Sequence, residues 1–98
     1  MNFPALPPGL TAAKIKSLEQ ETSARETLLR QIVQGFEKKY GCSLEEFERK
    51  IEARQVPEHP SWEDSIEWRN AVEQLERIKV SRSIFAWIQS LLAQSSAS

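Results

Sequence analysis

Residues 62–92 read WEDSIEWRNAVEQLERIKVSRSIFAWIQSLL and hold neither proline nor glycine. Such a stretch favours one long α-helix, in which each residue advances by roughly 100° around the axis. On that helix one face carries a first apolar set: Trp68, Ala71, Val72, Leu75 and Ile78. A nearly opposite face carries a second apolar set: Val80, Ile84, Trp87, Ile88 and Leu91. A straight helix buries only one such face in its own core, so either the chain bends near Val80 or a second protein covers the other face.

The length and composition are those of one small globular domain. The chain has 98 residues, of which 40% are hydrophobic and 28% are charged. A chain of this size buries only about 60% of its unfolded surface when it folds. We therefore expect oligomerisation or a partner to add stability. The net charge of -1 offers no positive field that would gather phosphates, so nucleic acid is not expected as a direct ligand.

The cysteine content and the apolar segments indicate a cytoplasmic protein. Cys42 is the only cysteine, which excludes an intramolecular disulfide and fits a reducing compartment. The first ten residues, MNFPALPPGL, lack the charged and apolar regions of a secretory signal. Residues 84–93 form the longest weakly polar stretch, about half of the ~20 residues that a membrane span needs. We expect a soluble protein that does not enter the membrane.

The first half of the chain predicts an extended arm and one long helix. Three prolines make residues 1–10 an extended arm. Thr11 is a suitable N-cap, and apolar residues then recur at alternating steps of three and four up to about Lys39. The alternative is a break around Thr22, because Ser23 and Glu26 could form a capping box for a second helix.

Turn and capping residues divide the remainder into further helices. Gly41 suits the end of helix one, and Ser43 suits the N-cap of a short helix over 44–54. Two prolines then make 55–60 a loop, and Ser61 is the expected N-cap of a helix that starts at Trp62. This helix either passes through Val80 or gives way to a fourth helix, capped by Ser81 and running to Ala93.

The predicted fold class is all-α. We expect a small bundle of three or four helices, with a short capped middle helix and a long C-terminal helix. Residues 11–93 form the single helical domain, between the proline-rich arm 1–10 and a disordered polar tail over 94–98.

The sequence offers little chemistry for catalysis or for cofactors. Cys42 and His59 are the only thiol and the only imidazole, and no third group completes a nucleophilic site with them. A metal site needs three or four converging ligands, and the three glycines present do not form a glycine-rich phosphate loop. The turn at Gly41 could belong to a helix-turn-helix, but Glu45, Glu46 and Glu48 would repel DNA. We predict a non-enzymatic protein without catalytic residues, cofactor, metal or small-molecule substrate.

Two surfaces of the last helix are predicted to bind a protein partner. The first is the C-terminal apolar arc, made of Val80, Ile84, Phe85, Trp87, Ile88 and Leu91. Aromatic residues are over-represented where interfaces concentrate their binding energy, and no charged residue follows Arg82. The second is an acidic region suited to a basic partner, made of Trp62, Glu63, Asp64 and Glu67.

Part of the chain resembles a family of small bacterial helical proteins. The segment EKKYGCSLEEFERKI at 37–51 and the pair Glu67-Trp68 are similar to antitoxins of type II toxin-antitoxin modules, over residues 26–79. In that family a helix ending in Lys-Tyr-Gly precedes a capped Ser-x-Glu-Glu-Phe helix, and a longer helix carries Glu-Trp. Tyr40, Phe47 and Trp68 match its aromatic positions.

The resemblance implies a binding protein that neutralises a toxin encoded beside it. The alternative is a structural homodimer or an adaptor, whose helices pair along the heptad pattern of helix one and the C-terminal arc.

Overall fold

The computed structural model describes residues 9–96 and is all-α, as predicted. Three helices follow one another: α1 Ala12–Tyr40, α2 Leu44–Glu52 and α3 Glu58–Ser96. Residues 1–8 of the predicted arm and 97–98 of the predicted tail lie outside the described range. The molecule measures 62 × 27 × 18 Å with a radius of gyration of 19.4 Å, against about 13 Å for a compact domain of about 100 residues. It is a rod in which long helices leave much of their surface outside a core.

Helix α1 is continuous, so the break considered at Thr22 does not occur. The Thr11 side chain accepts a hydrogen bond from the Lys14 backbone N–H at 3.1 Å, as expected for an N-cap. The helix ends at Gly41, whose φ of 67° is left-handed and whose N–H donates to the Glu37 carbonyl at 2.7 Å. Both caps are local, which explains why the residue pattern located these ends.

Helix α2 begins where Ser43 predicts and ends earlier than expected. The Ser43 hydroxyl accepts from the Glu46 N–H at 3.2 Å. The helix stops at Glu52 because Arg54 adopts a left-handed φ of 56°. The Gln55 N–H then donates to the Lys50 carbonyl at 2.9 Å and closes the last turn. A long side chain therefore occupies a position that usually holds glycine.

The start of α3 differs from the prediction that Ser61 caps it. Glu58 and His59 already belong to the element, with a kink at His59, whose φ of -115° and ψ of 135° are not helical. The regular turns follow with Pro60, whose fixed φ and missing N–H suit a first helical position. Ser61 is only 3% exposed and lies within the first regular turn, directly after Pro60.

Helix α3 is unbroken at Val80 and reaches Ser96, beyond the end predicted near Ala93. No proline or glycine interrupts it after Pro60. Ser83 donates its hydroxyl to the Lys79 carbonyl at 3.2 Å, so it is accommodated within a helix that continues. Of the two outcomes considered near Val80, the structure has the helix pass straight through.

Helices α1 and α3 run antiparallel along the rod. Lys39 and Tyr40 meet Asp64 at one end, and Glu19 meets Gln89 at the other.

Most of the buried core lies at the end of the rod that holds α2, and Ile15 is buried near the other end at 1% exposure. Trp68 and Phe47 are each 1% exposed and pack with Leu44, partly covered by Phe36 and Tyr40. A smaller cluster continues along the α1–α3 pair: Leu29, Ala71 and Ile78, with Val33 and Leu75. Past Ile78 the described residues of the rod belong to α1 and α3, and we call this part the two-helix arm. A helix pair without further layers leaves the far side of each helix in solvent.

Candidate protein-binding surface

An apolar stripe runs along the side of α3 that faces away from α1. Val80 is 60% exposed, Ile84 48% and Trp87 60%, while Leu91 is half-buried. We call Val80, Ile84, Trp87 and Leu91 the outer stripe. Their spacing of four, three and four residues keeps them within about 60° around the helix. The unbroken path of α3 through Val80 is the reason that this stripe lies outside the core.

The C-terminal arc predicted as one surface is therefore divided in two. Phe85 and Ile88 are half-buried, whereas Ile84 and Trp87 are exposed. The reason is rotational: α1 packs along the row of Ile78, and Phe85 and Ile88 lie closer to that row than the outer stripe does. We leave both residues out of the outer stripe, whereas Leu91, which is also half-buried, stays in it because its rotation around the helix lies between those of Val80 and Ile84.

Polar groups hold the two-helix arm together on its inner side. The Arg82 guanidinium lies 3.0 Å from a Glu26 carboxylate oxygen and 2.8 Å from the Ser23 hydroxyl, to which it donates. Gln89 donates to Glu19 at 3.5 Å. Sequence reasoning missed these contacts because the partners are 59 and 70 residues apart in the chain. Ser23 and Glu26 of α1 thus bind α3 through Arg82.

The acidic region lies at the other end of α3. Trp62 and Ile66 are each 52% exposed, and Glu63 and Glu67 are exposed beside them. We call these four residues the acidic face. A shallow depression along it is also lined by Glu48, Arg69 and Glu73. Apolar side chains thus alternate with carboxylates on one accessible side of the helix.

His59 contacts the acidic face. Its Nδ1 lies 2.6 Å from a Glu63 carboxylate oxygen, because the kink brings the ring over the first regular turn. The pKa of Glu63 is lowered, first by the backbone N–H of Glu63 itself and then by His59. Both interactions favour the charged form of the Glu63 carboxylate.

Asp64 joins α3 to α1 rather than forming part of the accessible surface, and we call its contacts with Lys39 and Tyr40 the Asp64 clip. Its carboxylate accepts from the Lys39 ammonium at 2.8 Å and from the Tyr40 hydroxyl in a short hydrogen bond. These bonds lower the pKa of Asp64, the Lys39 bond most strongly. Burial, followed by the Asp64 bond, raises the pKa of Tyr40. We therefore leave Asp64 out of the proposed contact surface.

A second ion pair joins α2 to α3. Arg69 donates from both Nε and a terminal nitrogen to the two carboxylate oxygens of Glu48, and the Nε distance is 3.2 Å. The hydrogen bond to Glu48 is the first cause of the raised pKa of Arg69. Bidentate hydrogen bonds of this kind fix the relative orientation of two side chains as well as pairing their charges. The Arg69–Glu48 pair therefore orients α2 beside the acidic face.

The thiol and the imidazole have separate surroundings. Cys42 packs against the Leu44, Phe47 and Trp68 cluster, whereas His59 is exposed and contacts Glu63. Between residues 9 and 96 the structure holds no group of three His, Cys, Asp or Glu side chains arranged to bind a metal ion. Along the same residues, no helix combines the length and the apolarity that crossing a bilayer requires.

Comparison with known proteins yields one family. No curated protein and no solved structure matches the chain. A family model described as the uncharacterized protein MJ0235 family matches residues 15–81. The matched residues include α2, the packed parts of α1 and α3, and the acidic face, and they end before Ile84. Because this match spans about two thirds of the 98 residues, the chain belongs to the uncharacterized protein MJ0235 family.

Proposed function

We propose that this chain is a non-enzymatic, cytoplasmic protein that binds and occludes a partner toxin, in the manner of an antitoxin. The observation that carries the proposal is the outer stripe, because Val80, Ile84 and Trp87 stay in solvent on a helix that is unbroken at Val80. A contiguous apolar stripe on a small protein marks a contact surface. The resemblance of residues 26–79 to type II antitoxins supports a toxin as the partner.

The energetics indicate that the outer stripe does not act alone. Full burial of a large aliphatic or aromatic side chain contributes about 1.5–3 kcal/mol, and these residues are already partly covered. The whole stripe therefore contributes roughly 4–5 kcal/mol. Association costs on the order of 4–15 kcal/mol in lost motion. A tight complex needs a further contact, and we assign it to the acidic face.

The acidic face favours a basic partner. Glu63 and Glu67 sit beside exposed Trp62 and Ile66, so an arginine or lysine side chain would meet both a carboxylate and an apolar surface. The chain as a whole carries a net charge of only -1, so this attraction is local. We infer that the small bundle predicted from the sequence is completed when another chain packs on the two-helix arm.

Co-expression with the product of the adjacent gene tests the proposal. We expect that product to inhibit growth alone and to be neutralised by the wild-type chain. Trp87→Asp should weaken neutralisation, because it places a charge on the outer stripe. Gln20→Asp is the matched control: it adds the same charge to an exposed position of α1 on the opposite side of the arm.

A charge reversal examines the acidic face in the same assay. Glu67→Lys should weaken neutralisation, whereas Glu21→Lys, an exposed reversal far along the rod, should not. A neighbouring product that is harmless, or whose toxicity the wild-type chain leaves unchanged, would refute the toxin proposal.

A further inference from the structure

The spacing of the outer stripe is symmetric. Its residues are separated by four, three and four positions, so the pattern reads the same in both directions. We propose that the outer stripe pairs with the outer stripe of a second copy of this chain, with the two α3 helices antiparallel. The inference rests on the proposal that the stripe is a contact surface: it gives that surface to a second copy of the chain and leaves the toxin to bind at the acidic face.

The proposed register follows from a two-fold axis midway between Ile84 and Trp87. About this axis Ile84 faces Trp87 of the second copy, and Val80 faces Leu91 of the second copy. The spacing of four and three is that of a coiled-coil seam. Each apolar side chain thereby meets an apolar side chain, as a self-complementary interface requires.

The charges around the seam permit this pairing. No charged residue occurs after Arg82, and Arg82 is engaged with Glu26 and Ser23 of its own chain. Arg77, three residues before Val80, is the preceding position of the seam. It would face the neutral Gln94 of the second copy. Antiparallel pairing therefore opposes no like charges, whereas parallel pairing would bring Arg77 against Arg77.

The shape of the molecule leaves room for a second α3 helix. Val80, Ile84 and Trp87 are 48–60% exposed, and Leu91 is half-buried. Two copies can approach along the outer stripe with each α1 on the outside. The seam spans 11 residue steps, or about 17 Å, so the interface is small and the dimer is reversible.

The proposed dimer leaves the acidic face open. Glu63 lies 24 residues before Trp87 on the same helix, which corresponds to about 36 Å. Because the two helices are antiparallel, the two acidic faces lie at opposite ends of the dimer. Each can then meet its own partner molecule, while the outer stripes hold the two copies together.

Sedimentation equilibrium of the purified chain measures the pairing without any partner. Over about 1 µM to 1 mM, a range suited to weak association, the apparent mass should rise from 11.2 kDa toward twice that value. Trp87→Asp should hold the mass at that of one chain, and Gln20→Asp should behave as wild type. Circular dichroism verifies that each variant keeps its helix content. A monomer at every concentration, or a dimer that Trp87→Asp does not weaken, overturns the inference.

Cysteine cross-linking tests the register in a Cys42→Ser background. A disulfide needs Cβ atoms about 4 Å apart. Val80→Cys chains mixed with Leu91→Cys chains should form a cross-linked pair, whereas Val80→Cys chains alone should not. Cross-linking of Val80→Cys to itself would show a parallel pair and overturn the proposed arrangement. A dimer in which neither the mixed chains nor the Val80→Cys chains alone cross-link would also overturn the proposed arrangement.

The two proposals fail in different ways. A monomeric chain that still neutralises the neighbouring product, and loses this ability with Trp87→Asp, would show that the partner covers the outer stripe. A dimer with the predicted cross-link and no effect on any neighbouring product would refute the toxin proposal alone.

Discussion

Replacing Trp68 with alanine should remove most of the stability of this protein. Trp68 is 1% exposed and stacks on Phe36 and Tyr40, with ring centroids 5.6 and 6.3 Å away, and it lies 5.5 Å from Phe47. Burial and cavity effects for a tryptophan-to-alanine change amount to about 3–5 kcal/mol. A domain of about 100 residues has a total stability of roughly 5–15 kcal/mol, and the core here is small.

Urea unfolding followed by circular dichroism measures this loss. Trp68→Ala should shift the midpoint strongly or abolish the cooperative transition. Trp62→Ala is the matched control, because Trp62 is 52% exposed on the same helix and should cost less than about 1 kcal/mol. Equal effects of the two substitutions, or a loss below about 1 kcal/mol for Trp68→Ala, would refute the placement of the core beneath α2.

Three further predictions concern the turns and the Asp64 clip. Gly41→Ala should destabilise the fold by about 1 kcal/mol. The left-handed φ of 67° is strained for alanine, although the added Cβ would meet no other atom within 4 Å. Thermal unfolding checks this prediction, and an unchanged midpoint would contradict it. Arg54→Gly should stabilise by up to about 1 kcal/mol, since Arg54 holds a left-handed φ of 56°, and a lowered midpoint would argue against strain there. The lowered pKa of Asp64 means that its contribution is present above the ordinary carboxyl pKa and is lost as the pH falls through the lower folded value. Urea midpoints below about pH 4 should therefore fall more steeply in the wild type than in Asp64→Asn, and parallel curves would count against the clip.

Local signals located three of the six helix ends. Thr11, Gly41 and Ser43 act on backbone groups within four residues of themselves, so a single sequence holds the information. Rotation by about 100° per residue also placed Val80, Ile84 and Trp87 nearly opposite the first apolar set, but the sequence left open whether a break near Val80 would turn them inward. All of these features are short in range.

The remaining features depend on contacts between distant residues. The kink at His59 displaced the expected cap at Ser61, since Pro60 could occupy the first helical position itself. Asp64 belonged to the predicted acidic surface until α1 placed Lys39 and Tyr40 beside it. The residue pattern of one helix does not show which side chain of another helix a charged group will contact.

The division of the C-terminal arc has the same origin. Phe85 and Ile88 lie only a small rotation away from Ile84 and Trp87, so their burial depends on where α1 passes. That path is set in part by Arg82 and its contacts with Ser23 and Glu26. The sequence therefore predicted where along α3 the candidate surface lies, but not which side chains around the helix it includes.

The most direct test of the outer stripe is the labelling rate of a thiol placed in it. In a Cys42→Ser background, Val80→Cys keeps Trp87 and introduces a side chain of similar size at a position 60% exposed. We predict labelling nearly as fast as in the unfolded chain at low protein concentration, and slower labelling as the concentration rises. Slow labelling at every concentration would show that the chain buries position 80 in its own interior, and a fast rate that neither concentration nor the neighbouring gene product changes would show that nothing covers the stripe.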